Sequence, residues 1–180
     1  MYIVLIILGC LLWLGAIYTL SSRIVLSAPL SFLALLCISL ARRDGIDLLP
    51  LNSTLLIGWL CMTLVVTALT AMQPPAVAAQ RRGMGYITAG ALAGMVVGLL
   101  GVSMTGSLAL RYAIMVVGTV AGVFLGFLLY TRTPQGAPVN LSSGNFFSYL
   151  LAKGFPAAIT VMQLGVVLVI ALALYNIAPQ

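Results

Sequence analysis

Apolar runs long enough to cross a bilayer recur along the whole chain, and they constrain the fold more than any motif does. They fall at about 2–20, 24–41, 54–72, 86–102, 108–130 and 156–176, near the roughly 20 residues a helix needs to span a hydrocarbon core of about 30 Å. In lipid the backbone must satisfy its own hydrogen bonds, which leaves helix bundles and closed barrels. Apolarity without period-two alternation selects the helices. Only 6% of the residues are charged and 63% are hydrophobic, whereas a soluble domain is about one quarter charged. The mean hydropathy of +1.23 agrees. The sequence predicts an all-α, polytopic transmembrane helix bundle of about six spans. It forms one integral membrane domain over 1–180, because no loop is large enough to bury a core of its own.

Short connections such as "SSR" and "SMTGS" make consecutive helices antiparallel neighbours. Tyr2, Tyr18, Tyr86, Tyr112, Tyr130 and Tyr175 fall near the proposed span ends, where amphipathic rings favour the headgroup layer. Trp13 lies deep in the first span and is expected in the core. Arg111, one turn inside the fifth span, can extend its stem toward the interface. The long connection 131–155 carries its own apolar stretch, "FFSYLLAK". With Asn145 as N-cap, 146–153 is expected as a short interfacial helix before the last span. The alternative is one kinked helix from 146 onward, bent by Gly154 and Pro156.

The first span is expected to remain in the membrane. "ILGC" ending at Cys10 has no preceding positive charge, and in "LSAP" Pro29 would follow the cut. Eight basic and two acidic residues give a net charge of +6, but they are scattered singly or in pairs. No basic stripe tracks a phosphate backbone, so nucleic acid is not an expected partner. Arg42, Arg43 and Arg111 fall on one side of the bilayer, and Arg23, Arg81, Arg82, Arg132 and Lys153 on the other. The excess leans toward the second side being cytoplasmic, with both termini outside. In a bacterium the location would be the cytoplasmic, inner membrane.

Two spans carry glycine where lipid-facing helices carry large side chains. "GALAGMVVGLLG" places Gly90, Gly94, Gly98 and Gly101 on one helix face, and "GTVAGVFLGFLL" places Gly118, Gly122 and Gly126 on the next. The second repeats the first 28 residues later. Such a glycine zipper lets two backbones approach closely, and this packing replaces the hydrophobic force that is missing between helices in lipid. The expected contact joins spans four and five. An intersubunit seam and a narrow permeation path are the alternatives. The stretch from "RRGMGYITAGALAG" through "LYTRTP" is similar to a glycine-rich helix pair of major-facilitator transporters. It covers about a third of the chain, those carriers have about twice as many spans, and their acidic loop signature is absent from "ARRDGIDLLP". The likeness is one of membrane packing, and no family follows from it.

Catalytic chemistry is sparse. The chain has no His and no Glu, and its acids are Asp44 and Asp47 beside Arg42 and Arg43. No nucleophile with a base, no metal set and no paired carboxylates can be assembled from the sequence. Cys10, Cys37 and Cys61 lie in separate apolar runs without metal-ligand spacing. No catalytic residue, metal or cofactor is expected. Gln163 is the one amide well inside a proposed span, and burying it unpaired costs about 2 kcal/mol or more. Thr63 and Thr67 share a face of span three, and Ser27 and Ser31 share a face of span two, so either row can supply a partner. The expected role is a non-enzymatic embedded subunit, scaffold or assembly factor. It would be held in the lipid bilayer by a membrane-protein partner or by self-association. The alternative is a small transport component for a neutral or hydrophobic solute, with those polar residues lining its site. An S-component of a vitamin importer has comparable size and span count, an analogy of architecture alone.

Overall fold

The computed structural model describes residues 2–43, 46–47, 51–73, 83–102, 108–136 and 146–177. Helix α1 (Tyr2–Ser22) turns through a single 3₁₀ turn, Ile24–Leu26, into α2 (Ser27–Ser39). A two-residue antiparallel pair follows, β1 (Arg42–Arg43) with β2 (Ile46–Asp47), in the register Arg42 to Asp47 and Arg43 to Ile46. Next come α3 (Ser53–Ala71), α4 (Met84–Val102) and α5 (Leu108–Thr131). The chain closes with α6 (Phe146–Tyr149), a π-turn (Leu150–Gly154) and α7 (Phe155–Ile177). The protein is an all-α bundle with 5 helices long and apolar enough to cross a membrane, plus a shorter apolar helix over Ile24–Ser39.

That shorter helix departs from the expected 24–41 span. At about 1.5 Å per residue it falls short of a hydrocarbon thickness of about 30 Å. Its 3₁₀ start leaves room for Pro29 in the first helical turn, where a missing N–H removes no intrahelical bond.

The segment 146–153 forms no separate helix. It takes the alternative form, running through the π-turn into α7 as one apolar element. Its side chains explain why it leaves the interface, since Phe146, Tyr149, Ala152 and Lys153 are buried. Pro156 explains the π-turn, because proline has no N–H to return and its ring crowds the preceding turn. The backbone widens there, and the Phe155 N–H donates to the Leu150 carbonyl, five residues back.

Helix α7 is the axis of the bundle. The window Phe146–Ile170 is 78% buried, while no other membrane-length helix exceeds 33%. It touches α1, α2, α3, α4 and α5. Trp13, Ala16 and Leu20 of α1 join Ala34, Leu35 and Ile38 of α2 in the same core. Tyr130, expected at the headgroup layer, is buried. Its ring stacks on Tyr149 at 5.9 Å and its hydroxyl donates to the Gln135 carbonyl at 3.3 Å. Aromatic contacts continue from Tyr149 to Phe127 at 5.5 Å and from Phe127 to Phe146 at 5.2 Å. These contacts clamp the α6 segment to α5. Tyr18 and Tyr86 stay exposed, and the side chains of Tyr2 and Tyr175 lie outside the described residues.

Candidate functional site

The buried polar side chains among the described residues are concentrated between three helices. Apart from Thr119 of α5, they belong to α2 (Ser27, Ser31), α3 (Thr63, Thr70) and α7 with its π-turn (Lys153, Thr160, Gln163). Gln163 ties the three helices together. Its Nε2 donates to Thr63 Oγ1 at 2.8 Å, and its Oε1 accepts from Ser31 Oγ at 2.5 Å. The amide is fully buried, so both of its ends must be satisfied inside the protein. Each hydroxyl row contributes one member.

The other members of the rows serve their own helices. Thr67 Oγ1 donates to the Thr63 carbonyl at 2.7 Å, and Ser27 Oγ to the Ile24 carbonyl at 2.7 Å. Thr63 Oγ1 donates back to the Trp59 carbonyl at 2.7 Å, which frees its lone pairs for the Gln163 amide. Ser31 Oγ also lies 2.9 Å from the Ala28 carbonyl, so its one proton is shared between that carbonyl and Gln163.

Two polar residues of this region escaped the sequence reading. Lys153 counts there as a loop cation, yet it is fully buried in the π-turn. Lys153 therefore lies within the membrane-length window Phe146–Ile170 rather than in a loop. The available signal was the apolar sequence on both sides of the lysine, "FFSYLL" and "GFPAAI", which leaves no polar segment to carry it into water. Thr160 is 1% exposed and its Oγ1 has no hydrogen-bond partner among the described residues. The Trp13 Nε1 is likewise buried without a partner among the described residues.

The glycine faces of α4 and α5 meet backbone to backbone. A Cβ on Gly94 would strike the Gly118 carbonyl and lie 2.9 Å from Gly122 Cα. On Gly90 it would strike the Gly122 carbonyl and lie 3.0 Å from Gly126 Cα. A Cβ on Gly98 would lie 2.9 Å from Met115 Cα. Gly118, Gly122 and Gly126 meet the Gly94, Gly90 and Tyr86 carbonyls in return. Gly101 stands apart, because a Cβ there would touch only the Ile114 side chain, at an ordinary 3.6 Å. The helix pair α4 and α5 has the most extensive contact in the molecule.

Comparison with protein-family models, curated proteins and solved structures finds no match to this chain. The function must be argued from geometry. One further feature bears on it, an apolar groove of about 610 Å³ between α3 and α5. Leu55, Gly58, Trp59 and Met62 form one wall with Asn52 and Thr54 at its end, Val116 the other, and Ile159 and Met162 the floor. Among the described residues no group of three or more His, Cys, Asp or Glu converges on a point. Cys10 and Cys61 are exposed and Cys37 is half-buried, each on a different helix. Asp44 lies outside the described residues, as does the side chain of Asp47.

Proposed function

We propose that the protein is a non-enzymatic, embedded subunit, scaffold or assembly factor of a larger membrane complex. The observation that carries this reading is the closure of Gln163 on Ser31 and Thr63. The amide most suited to recognising a solute has both ends engaged by neighbouring helices, and the groove between α3 and α5, lined mostly by apolar residues, does not include it. A solute site needs convergent polar groups free to bind. The outer surface suits lipid and membrane partners, since large apolar residues such as Leu64, Val97 and Leu125 are exposed along three helices. Six closely packed glycines, the zipper in this reading, make α4 and α5 a rigid pair on which a complex can build. In a bacterium the fitting address is the cytoplasmic membrane. With α2 counted as a sixth, short crossing, the side holding Arg23 and Arg132 would face the cytoplasm, with both termini outside.

The test is extraction in lipid nanodiscs followed by identification of co-purifying proteins. A membrane protein present in fixed stoichiometry, which recovers this chain when it is itself tagged, is the expected result. A chain that purifies alone and supports solute flux in proteoliposomes would overturn the proposal. The second reading, a permeation component for a small neutral solute, draws on the concentration of hydroxyls around Gln163. It requires that Gln163→Leu abolish flux while leaving the fold intact.

A further inference from the structure

We propose that the groove between α3 and α5 seats a single acyl chain of a bilayer lipid, with the lipid's polar linkage at Asn52 and Thr54. The site exists because the ring of helices around α7 is not closed. Helices α3, α2, α1, α4 and α5 pack each on the next and all on α7, whereas α5 and α3 make no comparable contact with each other among the described residues. One face of α7 is therefore reached from the side, between two helices long and apolar enough to cross a membrane. Ile159 and Met162 of α7 form the bottom of that gap. Gly58 opens its α3 wall, since a Cβ built there meets nothing within 4 Å.

Dimensions and polarity identify the occupant. The α3 wall runs from Asn52, at the start of the helix, to Met62. At about 1.5 Å per residue that wall is about 15 Å long, half of a hydrocarbon core of about 30 Å. This is the depth of one leaflet, and so the reach of one acyl chain. The start of the wall is polar and exposed at Asn52 and Thr54, and the rest is apolar, which is the order in which a lipid presents its ester linkage and its chain. The volume of about 610 Å³ lies in the range of small-molecule sites, about 300–1,000 Å³. The floor excludes a helix. A partner helix is about 10–12 Å across, and a gap wide enough to seat one on α7 would lay the floor open, yet Ile159 and Met162 are 4% and 7% exposed. The slot is narrower than that. Left empty, its lining would forfeit dispersion contacts, and along its apolar length water finds no polar partners.

The inference is independent of the proposed function, because a lipid occupies this groove whether or not a partner protein binds elsewhere. The test fills the groove from within. Gly58→Phe adds a ring where the wall is open, and Gly15→Phe, on α1 where a Cβ likewise meets nothing within 4 Å, is the control. Parent and variants are reconstituted with phosphatidylcholine and phosphatidylethanolamine, extracted in mild detergent and analysed by native mass spectrometry. The parent and Gly15→Phe are expected to retain a phospholipid, and the retained fraction is expected to fall about fivefold or more in Gly58→Phe. A parent stripped of lipid, or a Gly58→Phe protein that retains as much as the parent, would overturn the site. A second measurement needs no change at Gly58. Trp59 lines the groove, and Trp13→Phe leaves it the sole tryptophan. In vesicles of phosphatidylcholine brominated on one acyl chain, its emission is expected to fall by about half or more. Emission as bright as in unbrominated vesicles would overturn the proposal, and so would a crosslink from Gly58→Cys to another polypeptide in native membranes, which would give the groove to a protein partner.

Discussion

Replacing Gly94 by alanine tests the α4–α5 seam with a single methyl group. In an ordinary helix interior the change is favourable by about 1 kcal/mol, because glycine loses more backbone entropy on folding. Here the new Cβ would sit 2.9 Å from Gly122 Cα and from the Gly118 carbonyl carbon, and closer still to that carbonyl's oxygen. These are backbone atoms, so no rotamer change relieves the overlap. The helices must separate by roughly 1 Å to restore carbon–carbon contact of about 3.5–4.0 Å, and dispersion is lost along the whole seam. Overpacking of this kind costs about 1–3 kcal/mol, and contact against backbone places it at the upper end. The net expectation is destabilisation by about 1–2 kcal/mol after the propensity gain. Gly101→Ala is the matched control, since its Cβ meets only Ile114 Cγ2 at 3.6 Å. It should keep the full gain of about 1 kcal/mol. Equilibrium unfolding in mixed micelles, with increasing denaturing detergent, reads both variants against the parent. The double variant Gly94→Ala/Gly122→Ala should cost less than the sum of the singles, because one separation relieves both overlaps. A Gly94→Ala protein as stable as Gly101→Ala would refute the seam, and cysteine crosslinks between copies at 94 and 122 would assign those faces to another subunit.

Gln163→Leu removes two interhelical hydrogen bonds, each worth about 0.6 kcal/mol in a membrane. Ser31 and Thr63 keep backbone partners, so unfolding should show a loss of only about 1 kcal/mol. A collapse of folding would mean that the cross-tie matters far more than its bonds. Gly83→Ala combines a left-handed φ of 85° with a Cβ placed 2.6 Å from the Tyr130 ring. It should destabilise by about 1–3 kcal/mol in the same assay. Lys153→Glu places the opposite charge in a fully buried position and should cost about 3 kcal/mol or more. A surface-loop lysine would tolerate that change within about 0.5 kcal/mol, so near-parental stability would return residue 153 to the interface.

What the sequence made legible follows from which forces are local. Helices α1, α3, α4 and α5 could be placed because backbone satisfaction in lipid forces long apolar runs into helices, whatever their neighbours. The close approach of Gly90 and Gly94 to Gly118 and Gly122 is likewise written in a four-residue spacing on adjacent helices, where a short connection leaves little choice of partner. Lys153 shows the limit. A lysine between two apolar stretches reads as an interfacial cation, and its burial depends on a π-turn that only the nearby Pro156 and the packing of Phe146 and Tyr149 bring about. The tyrosines show it again. Position near a span end is common to Tyr86 and Tyr130, but Tyr130 is buried by the α6 segment, 16 residues or more along the chain, while Tyr86 stays half exposed. Gln163 lies between these cases. The cost of burying an amide says that it needs a partner, and helical spacing narrows the field to two hydroxyl rows. Only the packing of a central α7 against α2 and α3 at once lets it use a member of each row. Polar groups in this bundle therefore report on the tertiary arrangement, whereas its apolar runs report on the bilayer.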